Sequence, residues 1–193
     1  MLVVASIIRI FVVTSIIWLS LAFLSAASSP SDIGNNYNPN YSLGSDKNDW
    51  WVNHPDQSGY AGSSVSHPRW ILESLKERPV LIFDYSNNCT SCVVQRKNID
   101  QALEKFGNEV TYFDVSYDNR DIRAFEIFQA YSLSSEGRYY VPTTVLITLI
   151  KARNGTVEVA WHSVEDTMSE EEIDSYMKDA IYYYNLNLAN WSK

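Results

Sequence analysis

Cysteine is scarce in this chain. Two residues, Cys89 and Cys92, among 193 cannot build a disulfide framework. Histidine is scarce too: His54, His67 and His162 are scattered, without the spacing of a four-ligand zinc site. Positive charge is in deficit, with 15 Lys and Arg against 23 Asp and Glu for a net charge of −8. That balance argues against nucleic acid or an anionic membrane surface as the main partner. A solvated acidic surface accounts for it. No internal repeat is visible, and the length suits one domain of ordinary size plus extras.

Charge is also missing from the start of the chain. Arg9 is alone in the first 27 residues, and the 18 residues from Ile10 to Ala27 carry none. Such a segment lies between a signal peptide and a membrane span. Ser25-Ala26-Ala27 is a passable cleavage site, and the absence of cysteine here excludes a lipoprotein anchor. An uncleaved anchor, a cleaved signal and a buried core helix remain open. The first two place the rest of the chain outside the cytoplasm, with membrane contact only through this segment. Residues 28–66 are rich in Ser, Asn, Asp, Gly and Pro and read as a polar, flexible linker. Trp50-Trp51 interrupts it, either docking onto the domain or adding an edge strand, or else serving as a membrane-interface or partner anchor.

What the chain does have is concentrated between Pro79 and Arg96. The apolar, β-prone run Val80–Tyr85 leads into the polar turn Ser86-Asn87-Asn88 and then into Cys89-Thr90-Ser91-Cys92. A buried strand, a turn and a helix opening on Cys-x-x-Cys form a redox arrangement. The first turn of a helix offers unpaired N–H groups and the positive dipole end. A thiolate there is stabilised, and its pKa can fall from about 8.5 into roughly the 3.5–7.5 range. Cys89 is therefore the candidate nucleophile, and Cys92, about one turn on, the resolving partner. A purely structural staple is the competing reading, but a disulfide closing so short a loop stabilises little.

The remaining elements follow from periodicity. Ser66 and Pro68 open a helix carrying Trp70, Ile71 and Leu75. The cysteine helix runs to about Phe106, with Cys92, Ile99, Leu103 and Phe106 on one face and Gly107-Asn108 as its stop. Val110–Val115 reads as a central parallel strand. Asp121 opens a short helix with Ile122, Phe125 and Phe128 on one face. Thr143–Ile150 and Thr156–Trp161 form a hairpin around Asn154-Gly155. Ser169-Glu170-Glu171-Glu172 is a capping box for a final helix to about Leu188. His162 reads as a surface histidine, and Arg96 and Lys97 as solvent-facing. Four glycosylation sequons begin at Asn40, Asn88, Asn154 and Asn190. A glycan on Asn88 would block Cys89, so that one reads as accidental.

The order β-α-β-α-β-β-α, the Cys-x-x-Cys helix and Val141-Pro142-Thr143-Thr144 ahead of a strand resemble the thioredoxin superfamily over about Pro68 to Leu188. The resemblance implies an α/β thioredoxin-like fold, with a central mixed β-sheet flanked by helices over residues 67–189 and a tail at 190–193. It implies that Pro142 is cis and faces the redox pair. It also makes Val141, whose backbone can pair with a substrate chain, and Asn88 the substrate-contacting candidates. The departures are specific. The family's common Trp-Cys-Gly-Pro-Cys is here Asn88-Cys89-Thr90-Ser91-Cys92. Phe83 stands six residues before Cys89, where the family has a buried acid, and Asp84 follows it. Strand alternation turns Asp84 to the other face. Either a register shift makes Asp84 the proton acceptor for Cys92, or that acid is missing.

The resulting expectation is an extracytoplasmic thiol-disulfide oxidoreductase that acts on exported proteins with thiols or disulfides. It needs no cofactor and no metal. A membrane thiol carrier is implied as electron partner if it acts as a reductant. Two alternatives stay open: a non-catalytic binding module that holds a partner through the Val141–Pro142 loop or Trp50-Trp51, and a carrier of a soft metal such as copper on the cysteine pair.

Overall fold

A computed structural model describes residue 33, residues 36–134 and residues 137–191. The proposed anchor or signal at 1–27 lies outside the described residues. Among the described residues no helix is long and apolar enough to cross a membrane.

The element order is α1 (Arg69–Ser74), β1 (Val80–Tyr85), α2 (Thr90–Phe106), β2 (Thr111–Ser116), α3 (Ile122–Tyr131), β3 (Thr143–Lys151), β4 (Val157–Val164) and α4 (Glu170–Asn187). The strands form one mixed sheet in the order β2-β1-β3-β4. β1 is parallel to β2 and antiparallel to β3, and β3 is antiparallel to β4. β2 was expected at the centre of the sheet. It is parallel as expected but lies at the edge, and its first three residues are only half-buried.

Alternation along β1 divides the core into two layers. Leu81 and Phe83 pack with Cys92, Ile99 and Phe106 of α2 and with Ile173, Met177 and Ile181 of α4. Val80 and Ile82 pack with Ile71 of α1 and with Ala124 and Ile127 of α3. The helix boundaries follow local chemistry. Ser169 and Glu172 complete the capping box of α4, and Asp121 caps α3 by accepting from Arg123 N–H. In the β3–β4 turn, Ala152 N–H donates to the Thr156 carbonyl, and Gly155 takes φ +88°, where a side chain would be strained. The face assigned to α3 from sequence is corrected. Ala124, Ile127, Ala130 and Tyr131 point inward, while Ile122 and Phe125 are exposed. The helix carries two apolar stripes, Ile122 with Phe125 and Ala124 with Ile127, Ala130 and Tyr131, and the second is the one packed into the core.

The flexible-linker reading of the segment ahead of α1 is corrected, whereas Trp50-Trp51 docks onto the domain, one of the readings the sequence allowed. From Tyr37 onward the segment is a strap packed on the domain. Asp179 of α4, fully buried, accepts from Tyr37 O–H at 2.7 Å, Asn40 N–H at 3.0 Å and Tyr41 N–H at 2.9 Å. Trp51 pairs with Trp161 of β4 through two backbone hydrogen bonds of 2.9 Å each. Trp50 and Trp51 enter opposite core layers. The composition is linker-like because the strap's apolar contacts come from scattered residues, Trp50 and Trp51 with Tyr41, Leu43, Val52 and Val65, rather than from a periodic face. Its pairing also covers part of the β4 edge, where bare backbone groups would invite association.

Candidate active site

β1 ends at Tyr85, and the chain turns through Ser86-Asn87-Asn88 into α2. The turn is pinned from the far side. Asp118, just past β2, accepts from Asn87 N–H at 2.5 Å and from Ser86 O–H at 3.0 Å. Cys89 is the N-cap of α2 and half-buried, with exposed Asn88 before it. Cys92 lies one turn inside and is only 3% exposed. The two form a disulfide. Cys89 Sγ receives the Cys92 N–H at 3.0 Å and the Ser91 hydroxyl at 3.3 Å. Both donors, with the dipole of a 17-residue helix, favour negative charge at Cys89 over Cys92.

Across from the pair stands the loop that enters β3. The Val141–Pro142 peptide bond is cis. The Val141 carbonyl oxygen is 3.6 Å from Cys89 Sγ, and Pro142 is buried. Thus Cys89, Cys92, Asn88, Val141 and Pro142 come together at one end of the sheet. The fold is thioredoxin-like. That assignment rests on this chain's own strand order, its Cys-x-x-Cys at the mouth of α2 and the cis-proline loop facing it.

The sequence matches no family model and no curated protein. Solved structures to which it is similar include a thioredoxin-family thiol:disulfide interchange protein of Chlorobium tepidum, at 14% identity over 56% of this chain and 83% of that one, with TM-score 0.39. Another is StoA of Bacillus subtilis, at 13% identity over 52% and 82% of the two chains, with TM-score 0.33. A third is thioredoxin-2 of the malaria parasite protein secretion machinery, at 16% identity over 52% and 82%, with TM-score 0.36.

Asp84 does not join the thioredoxin-like site. The β1–β2 and β1–β3 registers run without a break, so no shift turns it toward Cys92. It projects into the opposite layer, 1% exposed, and accepts from the Tyr139 hydroxyl. Phe83 takes the position under the cysteines instead. It stacks on Tyr85 at 5.3 Å, and the Arg96 guanidinium lies 5.0 Å from its centroid and 4.5 Å from that of Tyr85. Arg96 is therefore not simply solvent-facing: its Nη1 and Nη2 reach Asp114 at 2.6 and 3.2 Å. The cysteines face an apolar floor, and no carboxylate of β1 is on their side.

Sequence reasoning missed Gln95 and Tyr139. Gln95 is fully buried, donates to Thr144 Oγ1 at 2.8 Å and accepts Met168 N–H at 2.7 Å. It ties α2 to β3 and to the segment before α4. Its position three residues after Cys92 and four before Ile99 is a readable signal, because a polar residue on an apolar stripe needs internal partners. Tyr139 had no such signal. Its ring lies between Tyr117 and Phe128, and its hydroxyl holds Asp84, fixing the loop two residues before Val141. Among the described residues no group of three or more His, Cys, Asp or Glu is placed to hold a metal ion.

Two buried groups give the stability a pH signature. Burial pushes the Asp84 carboxyl up from 3.8 to about 7, against the opposing hydrogen bonds from Tyr139 and the Tyr85 backbone. The folded state thus binds a proton that the unfolded state has released. Asp84's contribution is full below pH 3.8 and is lost as pH rises through about 7. His162 acts oppositely: burial lowers it from 6.5 to about 4, so its contribution is present above 6.5 and lost as pH falls toward 4. The two slopes oppose each other in the native protein. Asp84→Asn is expected to remove one of them. Urea unfolding of that variant at pH 5 and pH 8 should show a larger gain at pH 8, up to a few kcal/mol at about 1.4 per pH unit. An equal effect at both pH values refutes the assignment.

Proposed function

We propose that this protein is a thiol-disulfide oxidoreductase acting outside the cytoplasm on exported proteins. The observation that carries the reading is the environment of Cys89 Sγ. It caps α2, receives two hydrogen-bond donors and faces the Val141 carbonyl beside the cis-proline. That environment suits a sulfur that alternates between thiolate and disulfide.

In the reducing direction, Cys89 thiolate attacks a substrate disulfide, one substrate thiolate leaves, and a mixed disulfide forms. Cys92 thiolate then attacks Cys89 Sγ, closing the Cys89–Cys92 bond and releasing the second substrate thiol. Two electrons and two protons pass to the substrate. In the oxidising direction every step reverses, starting from the disulfide present in this structure. Val141 supplies backbone groups for an extended substrate segment, and Asn88 borders it. Pro142 shapes the loop. The apolar residues 1–27 support export by signal or anchor. If the protein reduces its substrates, a membrane thiol carrier is the class of partner that must resupply electrons.

The test is equilibration of residues 37–193 in graded thiol–disulfide buffers, with trapping of free thiols. A potential near −270 mV would mark a reductant, and one near −120 mV a disulfide donor. A pair that never equilibrates would end the catalytic reading in favour of a binding module.

A further inference from the structure

We propose that the cleft between the strap and the β4–α4 connection is a subsite for a basic side chain of the substrate polypeptide. This deepens the oxidoreductase reading and rests on it for the word substrate. The cleft has a volume of about 420 Å³. One wall is a ladder of rings: Tyr41 on Tyr176 at 3.8 Å, Tyr176 on His162 at 4.0 Å and His162 on Trp51 at 4.4 Å. The other wall is the connection from Val164 to Met168.

Its charge is one-sided. Glu165, Asp166 and Glu172 line it, against Lys47 alone. Each carboxylate already has one oxygen fixed. Glu165 Oε1 accepts from Ser132 O–H and Leu133 N–H, Asp166 Oδ1 from Thr167 N–H, and Glu172 Oε2 from Ser169 N–H. They are thus held in place, and the second oxygen of each is outside these bonds. His162 adds no opposing charge, since its Nδ1 is engaged by the Asp49 carbonyl at 2.9 Å and burial keeps the ring neutral. An independent observation points to a ligand. Ser163 lines the same cleft at 2% exposure, and its Oγ has no hydrogen-bond partner. A buried hydroxyl without a partner is uncommon in native folds. It can accept from an ammonium or guanidinium.

The cleft is linked to the redox site through β3 and Gln95. Val164 is paired with Thr144, two residues past Pro142. Met168 shares a core cluster with Cys92 and donates to Gln95, which holds Thr144. Neighbouring strands lie about 4.8 Å apart and an extended chain rises about 3.3 Å per residue. A segment paired with Val141 therefore spans from Cys89 to the cleft mouth in roughly four residues.

The experiment uses cysteine peptides joined in a mixed disulfide to a small neutral thiol. Lysine, glutamine or glutamate is placed at each position up to four residues either side of the cysteine. Wild-type protein is expected to favour lysine over glutamine by about tenfold in kcat/KM at low salt, on one side of the cysteine only. The order lysine, glutamine, glutamate should hold there. Ser163→Ala with Asp166→Asn is expected to bring the lysine-to-glutamine ratio close to one. No position with more than a twofold preference, or a ratio unchanged in the double variant, overturns the subsite. The neutral probe hydroxyethyl disulfide separates the two readings. If wild-type protein does not exchange with it, the oxidoreductase reading fails. The subsite is then judged by Trp fluorescence titration with the lysine and glutamine peptides, where equal binding overturns it.

Discussion

Cys92→Ala is expected to turn a transient species into a stable one. When the variant meets a protein disulfide, a covalent adduct through Cys89 should accumulate, visible by mass under non-reducing conditions. Wild-type protein should show none at equilibrium. Turnover should fall by about a thousandfold or more, the scale seen when one member of a covalent catalytic unit is removed. The asymmetry has a structural cause. Cys89 is half-buried at the helix cap and faces the Val141 carbonyl, whereas Cys92 is 3% exposed and packs in the cluster with Phe83. A substrate sulfur can approach the first in line and not the second. Cys89→Ala should therefore form no adduct. An adduct in Cys89→Ala but not in Cys92→Ala would exchange the two roles. Adducts in neither would leave a structural disulfide and favour the binding module. Phe83 adds a corollary. With Phe83 rather than an acid of β1 beneath the cysteines, the resolving step is expected to draw its proton acceptor from solvent or substrate, and exchange should rise with pH as the thiols ionise.

The second large effect concerns the strap. Trp51→Ala is expected to cost about 3–5 kcal/mol, the range for truncating a large buried aromatic. That corresponds to a fall in melting temperature of roughly 10 °C for a domain of this size. Trp51 is 1% exposed, lies edge-on to Trp161 at 5.1 Å, and donates its indole N–H to the Asp46 carbonyl at 2.9 Å. A fragment beginning at residue 67 removes both tryptophans and the Asp179 clamp, and it uncovers β4. It should unfold at markedly lower urea and self-associate through the freed edge. Urea midpoints and sedimentation of the two proteins decide this. A loss under about 1 kcal/mol for Trp51→Ala would make the strap a peripheral attachment.

The element order and the redox pair were legible because their signals are local. Val80–Tyr85 alternates into two layers, Cys92 and Ile99 sit seven residues apart on one helical face, and Ser169 and Glu172 form a cap within a single turn. The side of the sheet that Asp84 faces also followed from alternation. What awaited it there did not: burial against Tyr139, 55 residues away, could only come from the folded chain. His162 looked like a surface residue because nothing near it in sequence announces Trp51 and Tyr176 on its two faces.

By itself, then, the sequence determined which segments become strands and helices and where the sulfur chemistry sits, since hydrophobic period and helix capping act over a few residues. The tertiary structure alone decided the fate of residues 37–66. Their composition offers no apolar period, and their order depends on partners such as Asp179, 138 residues from Tyr41, whose buried carboxylate needs those backbone donors as much as the strap needs it.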